Sequence, residues 1–284
     1  MSAARSTADG LRRVIVHMGV QKTGSTSLHD HLQAHEAALM PGLQALTPRR
    51  ASPTRDMGRA ALLYTDDPSP EAGRRARLIE TIETVRDLIA PGPGVTLISH
   101  ENLPGAMLGR AGTVTLYPFL EEIVSLLDTH LAPYRPEYVI YTRDLAAWKR
   151  SAHNQAVRSD GYTETLGTFL SRTADSGDWA DLARRLTAAA PGRAHVLRLE
   201  DETDRARPGS QLLALAGLSP EEIAALVPQT TRRNESLNFG ALEFLRLLNT
   251  LDLRPKQRRS VAQIVERNQQ LFTPSAPADA PRPA

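Results

Sequence analysis

Val14-Ile15-Val16-His17-Met18-Gly19-Val20-Gln21-Lys22-Thr23-Gly24-Ser25-Thr26-Ser27-Leu28 reads as a buried strand that runs into an anion-cradling loop and opens a helix. The strand part is β-branched and near-continuously apolar, the pattern of a parallel strand covered on both faces. The loop offers small residues whose backbone N–H groups can approach an anion at the positive end of the helix dipole. Lys22 adds a full charge. Of 34 basic residues only Lys22, Lys149 and Lys256 are lysine, so a lysine inside this loop points to a need for a compact ammonium rather than a planar guanidinium. The plain alternative is a tight turn capped by Ser25 or Thr26 with a solvated lysine.

Outward from this stretch, strand-like runs cover 13–18, 95–99, 138–142 and 194–199. Helical patterns separate them. Leu28, Leu32 and Leu39 share a helix face up to Met40-Pro41-Gly42, and further helical periods fall at 74–89, 116–131, 166–170, 179–189 and 242–253. Strands alternating with helices predict an α/β fold with a central parallel sheet, helices on both faces, and ligands beyond the carboxyl ends of the strands. Between 44 and 71 the period weakens, which reads as a substrate-facing insertion or a mobile surface loop. The expected organisation is a flexible N-terminus over 1–11, a single α/β domain over 12–272 and a disordered Pro/Ala-rich tail over 273–284.

With 284 residues, 41% of them apolar, the chain can bury a large core. A formal charge of +2 gives no basic face for nucleic acid. The absence of cysteine excludes disulfides and thiolate metal sites. The polar start and the lack of a long apolar run predict no signal peptide and no membrane span, hence a soluble cytoplasmic protein. Neither composition nor pattern specifies an oligomeric state.

A second constellation follows the third of these runs: Tyr141-Thr142-Arg143-Asp144-Leu145-Ala146-Ala147-Trp148-Lys149-Arg150-Ser151. Arg143 leaves the strand end and Ser151 lies eight residues on, about two turns into a helix, so both can converge on one phosphate. A helix-entry ion pair of Arg143 with Asp144 and a solvated Ser151 would explain the same residues. The first loop is not a Walker A sequence, because Lys22 precedes Gly24 instead of following the last glycine of the loop.

Together the two segments resemble the cofactor motifs of the sulfotransferases that use 3′-phosphoadenosine 5′-phosphosulfate (PAPS), over roughly residues 14–237. The H-x-G-x-x-K-T-G-[ST]-[ST]-S-L opening is most similar to the bacterial carbohydrate-type branch. The resemblance implies a three-layer, P-loop nucleoside-kinase-like fold. It also implies that Lys22, Thr23, Gly24, Ser25, Thr26 and Ser27 hold the 5′-phosphosulfate and that Arg143 and Ser151 hold the 3′-phosphate. Leu197-Arg198-Leu199-Glu200-Asp201 resembles a structural strand-end segment. Thr230-Thr231-Arg232-Arg233-Asn234-Glu235-Ser236-Leu237 resembles a basic segment that closes over the nucleotide, with Arg232 and Arg233 as cofactor contacts, but it lacks the R-K-G triplet of the aryl and steroid enzymes.

In such enzymes the acceptor hydroxyl, or an amine, needs a base, and the resemblance offers His100 and Glu101 in Ile98-Ser99-His100-Glu101-Asn102. Adjacent residues on an extended segment point to opposite sides, so one of the two should face the acceptor. Lys22 would stabilise the leaving phosphate, and no metal is required. The acceptor is expected to be a small molecule or a glycan. Two other readings stay open, a P-loop nucleotide-dependent kinase and a non-catalytic nucleotide-binding relative. His31 and His35 stand one helical turn apart, but Leu32 occupies the place where a zinc protease has glutamate. His17, at the strand end, reads as a core histidine near the same rim.

Overall fold

The computed structural model describes residues 10–39, 42–69, 73–229 and 237–274. The described chain forms two compact units, one drawn from 1–106, 117–143 and 178–233, the other from 107–116, 144–177 and 234–284. The first unit opens with β1 (Arg13–His17), α1 (Ser25–Ala34), α2 (Glu36–Leu39), β2 (Leu43–Leu46), α3 (Pro53–Asp66), α4 (Arg74–Arg86) and β3 (Val95–Ser99). It continues with α5 (Leu120–His130) and β4 (Glu137–Thr142). The chain then supplies α6 (Leu145–Gln155) and α7 (Leu166–Arg172) to the second unit before returning with α8 (Trp179–Ala189), β5 (Ala194–Arg198), α9 (Ser210–Leu215) and α10 (Pro220–Ala224). The second unit ends with α11 (Phe239–Leu248) and α12 (Pro255–Arg267).

The five strands of the first unit form one sheet in the order β2-β3-β1-β4-β5, every pairing parallel. The α/β class with a central parallel sheet therefore stands, and the four strands read from the sequence are β1, β3, β4 and β5. Every residue of β3, and all but the first of β1 and β4, is buried, as flanking helices on a parallel sheet require. Edge strand β5 is only half covered.

Two elements in the 44–71 region depart from the expectation of an irregular insertion or loop. β2 is four residues long, Leu-Gln-Ala-Leu, with low strand propensity and proline on both sides, so no period shows. Gln44 anchors it, donating to the Leu88 carbonyl at 2.9 Å and accepting from Thr96 Oγ1 at 2.8 Å. α3 begins at Pro53 behind Ser52, whose Oγ accepts from the Arg55 N–H, a cap-plus-proline start. Its buried positions Met57, Ala60, Ala61 and Tyr64 fall at helical spacing, but arginines and Gly58 dilute the stripe.

The core of this unit packs Leu28 and Leu32 of α1 against Ile15, Leu97 and Val139 of the sheet. Each such side chain contributes about 1.5–3 kcal/mol of burial. From β1 the chain turns toward the β2 edge, and from β4 toward the β5 edge, so the carboxyl ends of adjacent β1 and β4 frame a topological switch point.

In the second unit a smaller core joins Val157 to Ala241, Leu245, Ala262 and Val265. There Lys149 donates to the Thr173 carbonyl at 2.5 Å. No described helix is long and apolar enough to cross a membrane. Residues 1–9, 230–236 and 275–284 lie outside the described residues, and with them Arg232, Arg233 and most of both expected terminal segments.

Candidate active site

The loop after β1 is shaped by its backbone. Gly19, Lys22 and Gly24 have φ of 94°, 68° and 90°. Glycine enters this region freely, whereas a lysine held there costs on the order of 1 kcal/mol or more and must be fixed by its surroundings. Thr23 Oγ1 donates to the Val20 carbonyl at 2.5 Å, and Gln21 Nε2 donates to the Gly105 carbonyl at 2.9 Å. The Tyr117 hydroxyl donates to Gln21 Oε1. Left-handed residues in a turn are the setting in which successive amide N–H groups converge on an anion. The residue that caps α1 is Gly24, not Ser25 or Thr26, so no cap side chain satisfies the first-turn N–H groups at the positive end of the dipole.

Arg143, at the end of β4, reaches the loop directly: its Nη1 donates to the Lys22 carbonyl at 3.1 Å, while Trp179 Nε1 donates to the Arg143 carbonyl at 2.6 Å. Asp144 caps α6 of the second unit by accepting from the Ala147 N–H at 2.7 Å. Ser151 is half-buried on α6, and the role expected of it rests on the eight-residue spacing. The 197–201 segment completes β5 and a short 3-10 turn. Just beyond it, Glu202 accepts from the Tyr141 hydroxyl and from the Ser210 N–H, a structural clasp between β4 and α9.

β3 ends at Ser99 and the chain turns at once, with the Leu103 N–H returning to the His100 carbonyl at 3.2 Å. The alternation of an extended segment is lost there, so His100 and Glu101 line the same cleft instead of opposite sides. The cleft has a volume of 720 Å³, and Thr26 and His29 of α1 share its lining with them. Gly19 permits this approach, since a Cβ on it would stand 2.7 Å from the Glu101 Cα. Gly58 of α3 plays the same part for His100, whose ring would lie 2.2 Å from an added Cβ.

The two candidate bases differ in their hydrogen bonds. The Asn102 N–H donates to His100 Nδ1 at 3.1 Å, which fills that lone pair and assigns the ring proton to Nε2. Burial lowers the His100 pKa, with Glu101 opposing, so the ring is neutral and its free edge is a donor. Glu101 Oε2 is buried with no hydrogen-bond partner among the described residues, 3.7 Å from both His100 Nδ1 and His29 Nδ1. Of the two side chains Glu101 is the one that keeps acceptor lone pairs, since the Nδ1 pair of His100 is taken by Asn102.

Beneath the cleft lies a polar chain that sequence reasoning did not find. Ser99 Oγ stands 2.7 Å from His17 Nδ1 and 2.9 Å from His29 Nε2. One consistent polarity runs His17 Nδ1–H to Ser99, Ser99 O–H to His29 Nε2, and His29 Nδ1–H toward Glu101. Burial pulls His17 down to about 3 and His29 down to about 4, so both are neutral near pH 7. His17 is the buried core histidine expected, with an edge contact to Tyr141 at 5.5 Å, although its Nε2 finds no partner among the described residues. The signal for His29 was available in Thr26, His29, Asp30 and Gln33, whose spacing puts them on one face of α1.

His35 accepts from the Val227 N–H at Nε2 and donates from Nδ1 to the His31 carbonyl, so both its nitrogens are engaged within the fold. No protein-family model and no curated protein matches this chain.

Proposed function

We propose that this chain is a sulfotransferase of P-loop nucleoside-kinase-like fold that moves a sulfuryl group from PAPS to a hydroxyl of a small-molecule or carbohydrate acceptor. The observation that carries the reading is the junction of Arg143 with the Lys22 loop at the switch point, beside a cleft with Glu101 in its lining. The anion loop on the central strand of an all-parallel sheet supports the fold assignment.

The residues present fit such a nucleotide: the N–H groups that follow Gly24, the Lys22 ammonium and the Arg143 guanidinium are the donors that two phosphate positions call for. PAPS supplies the activated sulfuryl group. Glu101 takes the proton of the acceptor hydroxyl as that oxygen bonds to sulfur and the bond from sulfur to the phosphate oxygen breaks. Lys22 and the loop N–H groups hold the charge that develops on that leaving oxygen. His29, whose Nδ1–H faces the Glu101 carboxylate at 3.7 Å, is the neighbour that can orient it.

Thermal stabilisation separates this reading from the kinase alternative. Adenosine 3′,5′-bisphosphate at about 100 times its dissociation constant should stabilise the fold by about 2.7 kcal/mol, with ADP and Mg²⁺ giving far less. The reverse order of effects would overturn the assignment. Stabilisation without turnover over a broad acceptor panel would favour a nucleotide-binding relative.

A further inference from the structure

The cleft beside Glu101 has a basic wall that transfer to an unspecified hydroxyl leaves unused. Arg49 and Arg50, from the turn after β2, and Arg55 and Arg59, one turn apart on α3, line it. Arg49 is paired with Glu36 at 2.6 Å. Arg50, Arg55 and Arg59 have no ion-pair partner among the described residues. The whole chain carries only +2, so four guanidiniums against the Asp30 and Glu101 carboxylates in one cleft is a local concentration, not the background. Arg55 acts on the cleft lining itself, since its charge helps to lower the His100 pKa.

Resting on the sulfotransferase reading of this site, we infer that the acceptor is a hydroxylated anion, a sugar that carries an oxyanion group beside the hydroxyl to be modified. A planar guanidinium presents two parallel N–H donors to a carboxylate or phosphate, and Arg55 and Arg59 share a helix face from which both can reach one such group. The wall also solves an electrostatic problem. The charge of the Glu101 carboxylate would repel an anionic acceptor unless neighbouring cations offset it. The Gly58 notch between Arg55 and Arg59 lets α3 lie against His100, which brings the basic face close to the base.

Binding of methyl glucoside, methyl glucuronide and methyl glucoside 6-phosphate to the full chain tests this by calorimetry, in the presence of adenosine 3′,5′-bisphosphate. Either charged sugar should bind at least about 10-fold tighter than the neutral one, and the preferred one names the oxyanion. Raising the ionic strength should erode the difference. The Arg50→Gln/Arg55→Gln/Arg59→Gln variant, its folding checked by thermal melting, should lose the preference and bind the three sugars alike. Equal affinity for the three sugars, no binding of either charged sugar, or a preference unchanged in the variant would each overturn the inference. Bisphosphate binding, measured alone, distinguishes the two layers. A chain that binds it without anion preference loses this inference and keeps the sulfotransferase reading, whereas an arginine-dependent anion preference without bisphosphate binding overturns the sulfotransferase reading and the acceptor role with it, leaving an anion-binding cleft.

Discussion

Arg143 Nη1 and the Lys22 carbonyl, 3.1 Å apart, tie the exit of β4 to the apex of the loop after β1. The guanidinium thus has two tasks in the proposed site, to grip a 3′-phosphate and to brace a lysine held at positive φ. Arg143→Ala should weaken adenosine 3′,5′-bisphosphate binding by roughly 10- to 150-fold, the worth of one charge-assisted contact. Adenosine 5′-phosphosulfate, which lacks the 3′-phosphate, should bind the natural protein far more weakly than PAPS and lose a further, smaller factor in the variant because the brace is gone. Calorimetry with both nucleotides checks this, and equal affinity of the natural protein for the two would remove the 3′-phosphate role.

Lys22→Arg should fail almost as badly as Lys22→Ala. A planar fork does not replace a point charge at a left-handed position where the loop closes on itself. The loss should fall on turnover, on the order of 100- to 1000-fold, as for removal of one transition-state donor. Near-normal turnover in Lys22→Arg would reduce the lysine to part of a generic anion patch.

The parallel sheet and the strand-loop-helix junction after β1 were legible because buried strands and a turn of small residues leave local signatures, seen in Val14–Val16 and in Lys22 to Ser27. β2 and α3 were not, since Leu43–Leu46 owes its strand state to pairing with β3 and Gln44 bonds far along the chain. The polar chain of His17, Ser99 and His29 joins residues 82 and 70 positions apart in sequence, a proximity created by the β1–β3 register for His17 and by the packing of α1 on the sheet for His29. His100 and Glu101 were found as a pair, but their shared cleft depends on a turn after Ser99 that extended geometry does not anticipate.

Gly58→Ala tests the packing of α3 on the site. Its Cβ would fall 2.2 Å from the buried His100 ring, so the ring or the helix has to shift. Destabilisation of about 1–3 kcal/mol is expected, as for overpacking elsewhere, together with a raised KM for the acceptor. Urea unfolding and acceptor kinetics read the two effects, and an unchanged unfolding midpoint would mean that α3 does not press on His100.

Stability should depend on pH through the buried histidines. His17 and His29 sit at about 3 and about 4 in the fold against an ordinary 6.5, so between those values the unfolded chain binds more protons. Their contribution is complete above pH 6.5 and is lost as the pH falls toward the folded values, by up to ~1.4 kcal/mol per pH unit for each histidine. Unfolding free energies measured across this window should fall with acidity, and His29→Gln should flatten the slope. An unaltered slope in that variant would show that His29 is not buried in its neutral form.

The base assignment can be decided by two conservative variants. Glu101→Gln keeps shape and removes basicity, so single-turnover sulfuryl transfer should drop roughly 100- to 10,000-fold while bisphosphate affinity stays nearly intact. His100→Asn should cost much less, because Nδ1 already accepts the Asn102 N–H and the ring serves to hold the turn. His29→Gln should fall between them, since it removes the flank 3.7 Å from the Glu101 carboxylate and leaves the carboxylate itself in place. Its positioning role would show as a shift in the pH profile of turnover, which a purely structural loss would leave in place. A large loss in His100→Asn beside a mild one in Glu101→Gln would transfer the role to the histidine, and the tautomer fixed by Asn102 would then have to invert during the reaction.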